Sequence, residues 1–191
     1  MSRRTSAFAA ALALMALGSP LISGCSNFAS YMALSSANQK YETGDYKGAI
    51  ADFSKAIDIN PQYTDAYSNR GATKDELGDH QGAIADYTKA IEINPQYAAA
   101  YYNRGNAKRK SGDNQGAIAD YNKAIEIDPQ HALAFANRGD SRGRLGKEKD
   151  ACIDYKKAAS LGYQRAAQWL NSEEGAWCRN MKSGHKTAVS L

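Results

Sequence analysis

Apolar residues recur through the middle of the chain at the spacing of an amphipathic helix. One such stripe consists of Ala83, Ile84, Tyr87, Ala90 and Ile91. Positions spaced in this way lie on one face of a helix. Similar stripes precede and follow this one, so the pattern predicts a series of helices, each with one buried face.

The stripe belongs to a longer unit that repeats every 34 residues. Residues 78–97 and 112–131 are identical at sixteen of twenty positions, and a period of this length indicates stacked supersecondary units. Two residue types keep the same offset, namely Gly44, Gly78, Gly112 and Gly146, and Pro61, Pro95 and Pro129. Glycine commonly ends a helix and proline interrupts one, so each unit is predicted to be a hairpin of two helices.

These units resemble the repeats of the tetratricopeptide family, in which an aromatic residue, a small residue, Ala, an aromatic residue, Ala and Pro follow at fixed spacing. The second repeat carries the pattern as Tyr67, Gly71, Ala83, Tyr87, Ala90 and Pro95. The third has it 34 residues later, the first is atypical at Ala33 and Ala37, and the fourth lacks the proline. The resemblance implies an all-α fold, an α-solenoid of four helical hairpins with a C-terminal capping helix.

The period also predicts the boundaries of the repeats. They are expected at residues 30–63, 64–97, 98–131 and 132–165, followed by the capping helix at residues 164–171. A cap is needed because no hairpin buries its apolar stripe alone, and the last one must meet water. Residues 172–191 lose the periodicity, apart from Trp177, and are expected to form a polar tail.

The first 24 residues have the three parts of a secretory signal peptide. Arg3 and Arg4 form a basic start, residues 7–17 are apolar, and residues 18–20 end the apolar run. These eleven apolar residues are fewer than the roughly 20 that a membrane-spanning helix needs. We therefore expect cleavage of residues 1–24 rather than an uncleaved anchor.

Residues 21–25, Leu-Ile-Ser-Gly-Cys, resemble the lipobox of bacterial lipoproteins. The resemblance implies acylation of Cys25, a lipidated linker at residues 25–29, export, and attachment to a membrane. The next residue is Ser26 and not an aspartate. In this respect the chain resembles lipoproteins that are sorted to the outer membrane and face the periplasm. The alternative is an ordinary signal peptide that is cut elsewhere, with Cys25 an incidental thiol.

Two further cysteines, Cys152 and Cys178, lie in the part of the chain that is expected to be exported. Oxidising compartments favour disulfides, so the two thiols are candidates for pairing. The alternative is a buried thiol, because Cys152 occupies the position of an isoleucine in the other repeats and cysteine behaves as a small apolar side chain. Both interpretations stay open on the sequence alone.

Arginine and aspartate recur with the period as well. The recurring residues are Arg70, Arg104 and Arg138 on the first helix, and Asp52, Asp86, Asp120 and Asp154 on the second. One interpretation is a set of ion pairs within the array, which would contribute little if exposed. The other is a row of guanidinium groups that binds a carboxylate ligand.

Further polar residues stand where tetratricopeptide domains direct side chains into their concave groove. The resemblance implies a peptide-binding groove formed by Asn38, Asn69, Tyr102, Asn103, Asn106, Arg109, Lys110, Asn137 and Arg144. Asparagine suits a peptide backbone because its amide donates and accepts hydrogen bonds at once. The alternative is a solvated groove without a ligand. The set does not reproduce the full pattern of domains that clamp a C-terminal carboxylate.

Charges of opposite sign separate along this groove. Glu42, Asp75 and Glu76 lie in the first two repeats, whereas the cations Arg109, Lys110 and Arg144 lie in the last two. A ligand that crosses the groove is therefore expected to carry the opposite order of charges.

Composition and charge narrow the classes of function. The formal net charge is +4, but without Arg3 and Arg4 the chain has 22 basic and 20 acidic residues, which is not typical of a nucleic-acid binder. The three histidines are scattered, and the sequence has no phosphate-binding loop or nucleophile motif. We therefore expect no catalysis, no metal and no cofactor.

The expected function is that of a protein-interaction scaffold anchored in the bacterial cell envelope, which binds a peptide or helix in its groove. The alternative is a structural array that associates with further copies of itself. In that case the atypical first repeat, with Ala33 and Ala37, is the expected contact. The sequence does not name a partner protein.

Overall fold

The computed structural model describes the secondary structure of residues 20–181. It describes the burial and contacts of side chains for residues 27–181. Most of the predicted signal peptide, the side chain of Cys25 and the last ten residues lie outside the described residues. Between residues 20 and 181 the chain forms ten helices and no strand, which confirms the predicted all-α fold. The helices are α1 (Pro20–Glu42), α2 (Tyr46–Ile59), α3 (Thr64–Glu76), α4 (His80–Ile93), α5 (Ala98–Lys110), α6 (Asn114–Ile127), α7 (Ala132–Arg144), α8 (Glu148–Ser160), α9 (Gln164–Asn171) and α10 (Ala176–Asn180).

Helices α1 to α8 form four hairpins, in which consecutive helices pack against each other, and each hairpin packs on the next. The turn within each hairpin contains a glycine whose φ lies between 70° and 91°: Gly44, Gly78, Gly112 and Gly146. This left-handed conformation disfavours residues with a side chain. In the first three hairpins an aspartate then caps the second helix, as when the Asp113 carboxylate accepts a hydrogen bond from the Gly116 backbone N–H at 2.8 Å. The fourth has Lys147 at this position and no side-chain cap.

Small residues allow the helices to approach closely. Within the third hairpin, a Cβ atom added to Gly105 would lie 2.7 Å from the ring of Tyr121, so the glycine makes room for the aromatic ring. Between hairpins, the close approach depends on alanines that are fully buried, namely Ala66, Ala100 and Ala134. Large and small side chains thus fill the spaces within and between the hairpins together.

The first helix differs from the prediction. It begins at Pro20, ten residues before the expected start of the first repeat, so residues 25–29 are helical and do not form a linker. Pro20 stands in the first turn, where a helix tolerates proline, and no further proline interrupts the segment before Ser30. No helix of the described residues is long and apolar enough to cross a membrane.

The C-terminal end also differs from the prediction. Helix α9 covers the residues expected for the cap, but residues 172–181 are not a tail, because they turn back and form α10. A disulfide joins Cys178 of α10 to Cys152 of α8, with their Cα atoms 5.6 Å apart. Both cysteines are fully buried. The short segment thus packs against the last hairpin, although its sequence has no helical period.

Candidate functional site

The first helices of the hairpins, α1, α3, α5 and α7, approach one another along one side of the stack. They are held in place by recurrent ion pairs. Arg70, Arg104 and Arg138 each bind the aspartate 16 residues later through two nitrogens, at 2.6 to 3.0 Å. A second cation, Lys74, Lys108 or Arg142, binds the same carboxylate.

These ion pairs also connect neighbouring repeats. The third nitrogen of each arginine, Nη1, donates to a side chain of the preceding repeat, namely Ser54, Thr88 or Asn122, at 2.7 to 3.0 Å. The arginine side chains are only 14 to 18% exposed. They are therefore structural, and they do not form a row that is free to bind a carboxylate ligand.

The first repeat has Ser36 at the position of these arginines. Its Asp52 carboxylate binds Lys40 at 2.6 Å, Lys55 at 2.7 Å and the Ser36 hydroxyl at 2.8 Å. These three donors hold the pKa of Asp52 well below its usual range. The layer of charge is thus preserved at the end of the array, where no preceding repeat offers a partner for an arginine.

Three neighbouring cavities lie along the first helices, and together they form what we call the groove. The N-terminal cavity, of about 340 Å³, is lined by Asn38, Tyr41, Glu42, Phe53, Asn69 and Ala72. The middle cavity, of about 330 Å³, is lined by Ala72, Asp75, Glu76, Tyr87, Tyr102, Asn103, Asn106, Arg109, Lys110 and Asn137. The C-terminal cavity, of about 330 Å³, is lined by Arg109, Ala136, Asn137, Asp140, Tyr155, Tyr163, Arg165, Ala166 and Trp169.

Most of the groove asparagines bind one another. The Asn69 side-chain amide donates to Asn38 at 3.1 Å, and Asn137 donates to Asn106 at 2.8 Å. Asn103 has no such side-chain bond within residues 27–181, because Ala72 stands where the other pairs have an asparagine. The groove therefore offers one amide that is not already used, rather than a continuous row of them.

The charges of the groove are also partly used by the protein itself. Lys110 reaches back to Asp75 of the preceding repeat at 2.7 Å, and His80 lies 2.7 Å from the other oxygen of that carboxylate. Asp75 and Lys110 thus neutralise each other. The other charged side chains that line the cavities are Glu42, Glu76, Asp140, Arg109 and Arg165. The predicted separation of charges is therefore incomplete, because Glu76 shares the middle cavity with Arg109, and Asp140 shares the C-terminal cavity with Arg165.

Of the cations that line the groove, Arg109 and Arg165 form no ion pair within residues 27–181, and Arg109 is the one that lines two cavities. Its Nε is buried and makes no hydrogen bond to any described residue. Its guanidinium lies beside the Tyr121 hydroxyl and lines both the middle and the C-terminal cavity. Because Arg109 lines both cavities, a ligand in the groove can reach its guanidinium with an acidic group or a carbonyl oxygen.

Arg144 does not belong to the groove, contrary to the sequence prediction. It is exposed on the last turn of α7 and lines none of the three cavities. Its equivalent in the preceding repeat, Lys110, is drawn into the groove by Asp75. In the repeat that precedes Arg144, the position of Asp75 is occupied by Arg109. The positive charge of Arg109 repels Arg144.

The capping helix α9 contributes to the groove, although the sequence did not indicate this. Tyr163, Arg165 and Trp169 form one wall of the C-terminal cavity, and the Trp169 ring packs on Tyr155 with centroids 4.7 Å apart. The signal is hidden because α8 and the loop that follows it are each one residue shorter than their equivalents in the preceding repeat. Aligning the helices by their capping residues, rather than by the period of 34, places Trp169 at the groove position of Asn103.

Burial changes the acidity of the tyrosines beneath the groove. It raises the pKa of Tyr121 to about 12 and holds the pKa of Tyr87 well above its usual range. The unfolded chain loses these protons at about pH 10, while the folded chain retains them. The stability that the neutral hydroxyls contribute is therefore complete below about pH 10 and is lost as the pH rises toward about 12.

We accordingly expect the urea midpoint of unfolding, followed by circular dichroism, to fall between about pH 9.5 and about pH 11.5. In the Tyr121→Phe variant this fall should be smaller, because one of the shifted hydroxyls is absent. A midpoint that does not change over this range would contradict the prediction.

Within the described residues, no three His, Cys, Asp or Glu side chains lie close enough to hold a metal ion.

A model of a family described as "Tetratricopeptide repeat" matches residues 98–131, and a second, described as "TPR repeat", matches residues 37–74 and 76–112. No curated protein sequence matches the chain.

Solved structures of the same fold are numerous. A crystal structure of MamA is 26% identical, with a TM-score of 0.68, and the match covers 72% of this chain and 81% of that one. The TPR domain of Arabidopsis OM64 is 28% identical, with a TM-score of 0.61, over 62% of this chain and 98% of that one. The first TPR of Spaghetti (RPAP3), bound to the HSP90 peptide SRMEEVD, is 23% identical, with a TM-score of 0.62, over 63% and 95%.

Proposed function

Since this chain belongs to the tetratricopeptide repeat family, we propose that it is an interaction scaffold of the bacterial cell envelope, anchored to a membrane through Cys25. It binds a peptide or helix of another protein in its groove. The Spaghetti structure, with its bound peptide, supports only the general point that this fold accommodates such a ligand.

The observation that carries the proposal is the unused binding capacity around Arg109. Arg109 forms no ion pair within residues 27–181, Asn103 has a free amide, and both line the same cavity. Arg109 also borders the next cavity, where Tyr163 and Trp169 supply aromatic surface. A ligand with an acidic group against Arg109 and an apolar side chain against Trp169 would satisfy both cavities.

The groove can be tested in cells with a photo-crosslinking amino acid. We expect this residue to capture a partner protein when it replaces Asn103, but not when it replaces Ala119, which is exposed on α6 outside the three cavities. A charge-assisted hydrogen bond contributes about 1.5 to 3 kcal/mol. The Arg109→Gln variant should therefore reduce capture at position 103 by about tenfold or more.

Circular dichroism of the Arg109→Gln variant controls for loss of the fold. Equal capture at positions 103 and 119, or capture that is unchanged by Arg109→Gln, would show that partners bind elsewhere on the molecule.

The membrane anchor rests on the lipobox-like segment that ends at Cys25. We propose export, acylation of Cys25, and a position on the outer membrane facing the periplasm. The mass of the N-terminal peptide of the protein extracted from membranes tests this, because an acylated cysteine adds the mass of its lipid. An unmodified Cys25 within a longer or differently cleaved N-terminus would instead support an ordinary signal peptide.

Self-association is the alternative function, and the observation that bears on it is the exposed apolar face at the N-terminal end of the array. Three large apolar side chains, Phe28, Tyr31 and Met32, are exposed on α1 at the open end of the array. Solenoids normally close such an end with a polar surface. These residues extend the contact expected at Ala33 and Ala37.

A further inference from the structure

The exposed face of α1 is the surface on which a preceding repeat would stack. Met32 is 52% exposed, whereas the alanines at the same position of the next three repeats, Ala66, Ala100 and Ala134, are fully buried between hairpins. Phe28 and Tyr31, on the neighbouring positions of the helix, are 65% and 58% exposed. The end of the array thus presents large apolar residues where its interior has small ones.

The two ends of the array are not equivalent. At the C-terminal end, α9 packs on α8, and its Ala166 is buried at the stacking position. Helix α10 and the Cys152–Cys178 disulfide close that end further. Nothing comparable covers α1 within residues 20–181.

The apolar face lies directly beside the proposed lipid anchor. Helix α1 runs without interruption from Pro20 to Glu42, and Phe28, Tyr31 and Met32 follow Cys25 by three, six and seven residues. At a rise of 1.5 Å per residue, these positions lie about 5 to 10 Å from the lipidated residue along the helix. Because no flexible linker separates them, acyl chains in the bilayer would hold this face at its surface.

The composition of α1 suits a lipid surface. The residues from Asn27 to Tyr41 include no aspartate or glutamate and a single cation, Lys40, so anionic headgroups would not repel this part of the helix. Aromatic residues are favoured at the interface between headgroups and acyl chains. The tyrosine hydroxyl can remain among the headgroups while its ring lies deeper.

The size of the face argues against a second copy of the chain as its occupant. Three half-exposed side chains of this kind offer about 350 Å², whereas a stable interface buries about 800 Å² on each partner. A lipid surface has no such minimum, because the acyl chains supply most of the affinity.

We propose that Phe28, Tyr31 and Met32 insert into the interfacial layer of the membrane that carries the lipid anchor. This proposal rests on the anchor proposed above. The inserted face orients the array, since contact at one end of the solenoid leaves the groove accessible to the aqueous compartment. The lipidated protein would therefore be docked on the bilayer rather than tethered loosely above it.

The test uses the lipidated protein in vesicles of phosphatidylethanolamine and phosphatidylglycerol whose acyl chains are brominated near the headgroup. A dansyl-bearing amino acid replaces Tyr31 in one variant and Ala119, on α6, in the control. We expect bromine to quench the dansyl fluorescence at least threefold more at position 31 than at position 119. The additional changes Phe28→Ser and Met32→Ser should remove most of that difference, while the protein stays attached through its lipid.

Equal quenching at the two positions in a protein whose Cys25 is acylated would overturn this proposal and leave the anchor intact. An unmodified Cys25 would overturn the anchor, and this proposal with it. Light scattering of the unlipidated Cys25→Ser chain is expected to show a monomer. A dimer that dissociates after Phe28→Ser and Met32→Ser would overturn the proposal in favour of a contact between copies.

Discussion

The Asp120→Ala variant is expected to lose about 3 to 5 kcal/mol of its free energy of unfolding, because it leaves two buried cations without their carboxylate. Arg104 binds Asp120 through two nitrogens at 2.7 and 2.9 Å, and Lys108 binds it at 2.8 Å. The Asp120 side chain is 6% exposed, so water cannot replace it. The variant should unfold at a clearly lower urea concentration, as measured by circular dichroism.

A matched control lies on the same helix. Glu126 forms an ion pair with Lys123, but the two side chains are 67% and 55% exposed, and pairs of this kind contribute at most about 1 kcal/mol. Glu126→Ala should therefore have little effect. In the Arg104→Ala and Asp120→Ala double variant, the loss should be smaller than the sum of the single losses. A loss below about 1 kcal/mol for Asp120→Ala would contradict the assigned structural role.

Removal of the disulfide should lower the free energy of unfolding by about 3.5 kcal/mol, the value that chain entropy gives for a closed loop of this length. The bridge spans 26 residues, from Cys152 to Cys178. It links α10 to the last hairpin, and α10 has only five residues, too few to form a stable helix without its contacts. Without the bridge, residues 172–181 should detach before the repeats unfold.

The measurement compares urea unfolding of the protein with and without dithiothreitol, and of the Cys152→Ala/Cys178→Ala variant. The unlipidated Cys25→Ser chain serves as the background, so that only these two cysteines remain. Its intact mass should reveal two thiols that react with iodoacetamide only after reduction. Identical midpoints with and without the reductant, or two thiols that react without it, would contradict the disulfide.

The sequence predicted those parts of the fold that repeat. The period of 34 residues, with its glycines and prolines, indicated hairpins because the same local signals occur four times and reinforce one another. The groove could be predicted from resemblance for the same reason, since it lies on the first helix of each hairpin. Eight of its nine predicted residues line the cavities, and only Arg144 does not.

The features that do not repeat could not be predicted. The aromatic wall at Trp169 depends on a helix and a loop that are each one residue shorter than their equivalents, and α10 depends on a disulfide that brings distant parts of the chain together. Likewise, Asn38 and Asn106 accept hydrogen bonds from asparagines of the next repeat. These bonds depend on distances between side chains, which the sequence does not show. The sequence names the residue types, but only the packed helices show which of them already have partners.

The arginine Nη1 bonds between repeats show how this array can change in length. At equivalent places the arginine donates to three different residue types, Ser54, Thr88 and Asn122. With respect to this bond, any repeat of this kind can therefore stand next to any other. Duplication or deletion of one unit would then leave an acceptor for the arginine Nη1 at every junction. The binding surface could grow or shrink during evolution in whole steps of one hairpin, while the specialised ends, an apolar first helix and a bridged last one, stay unchanged.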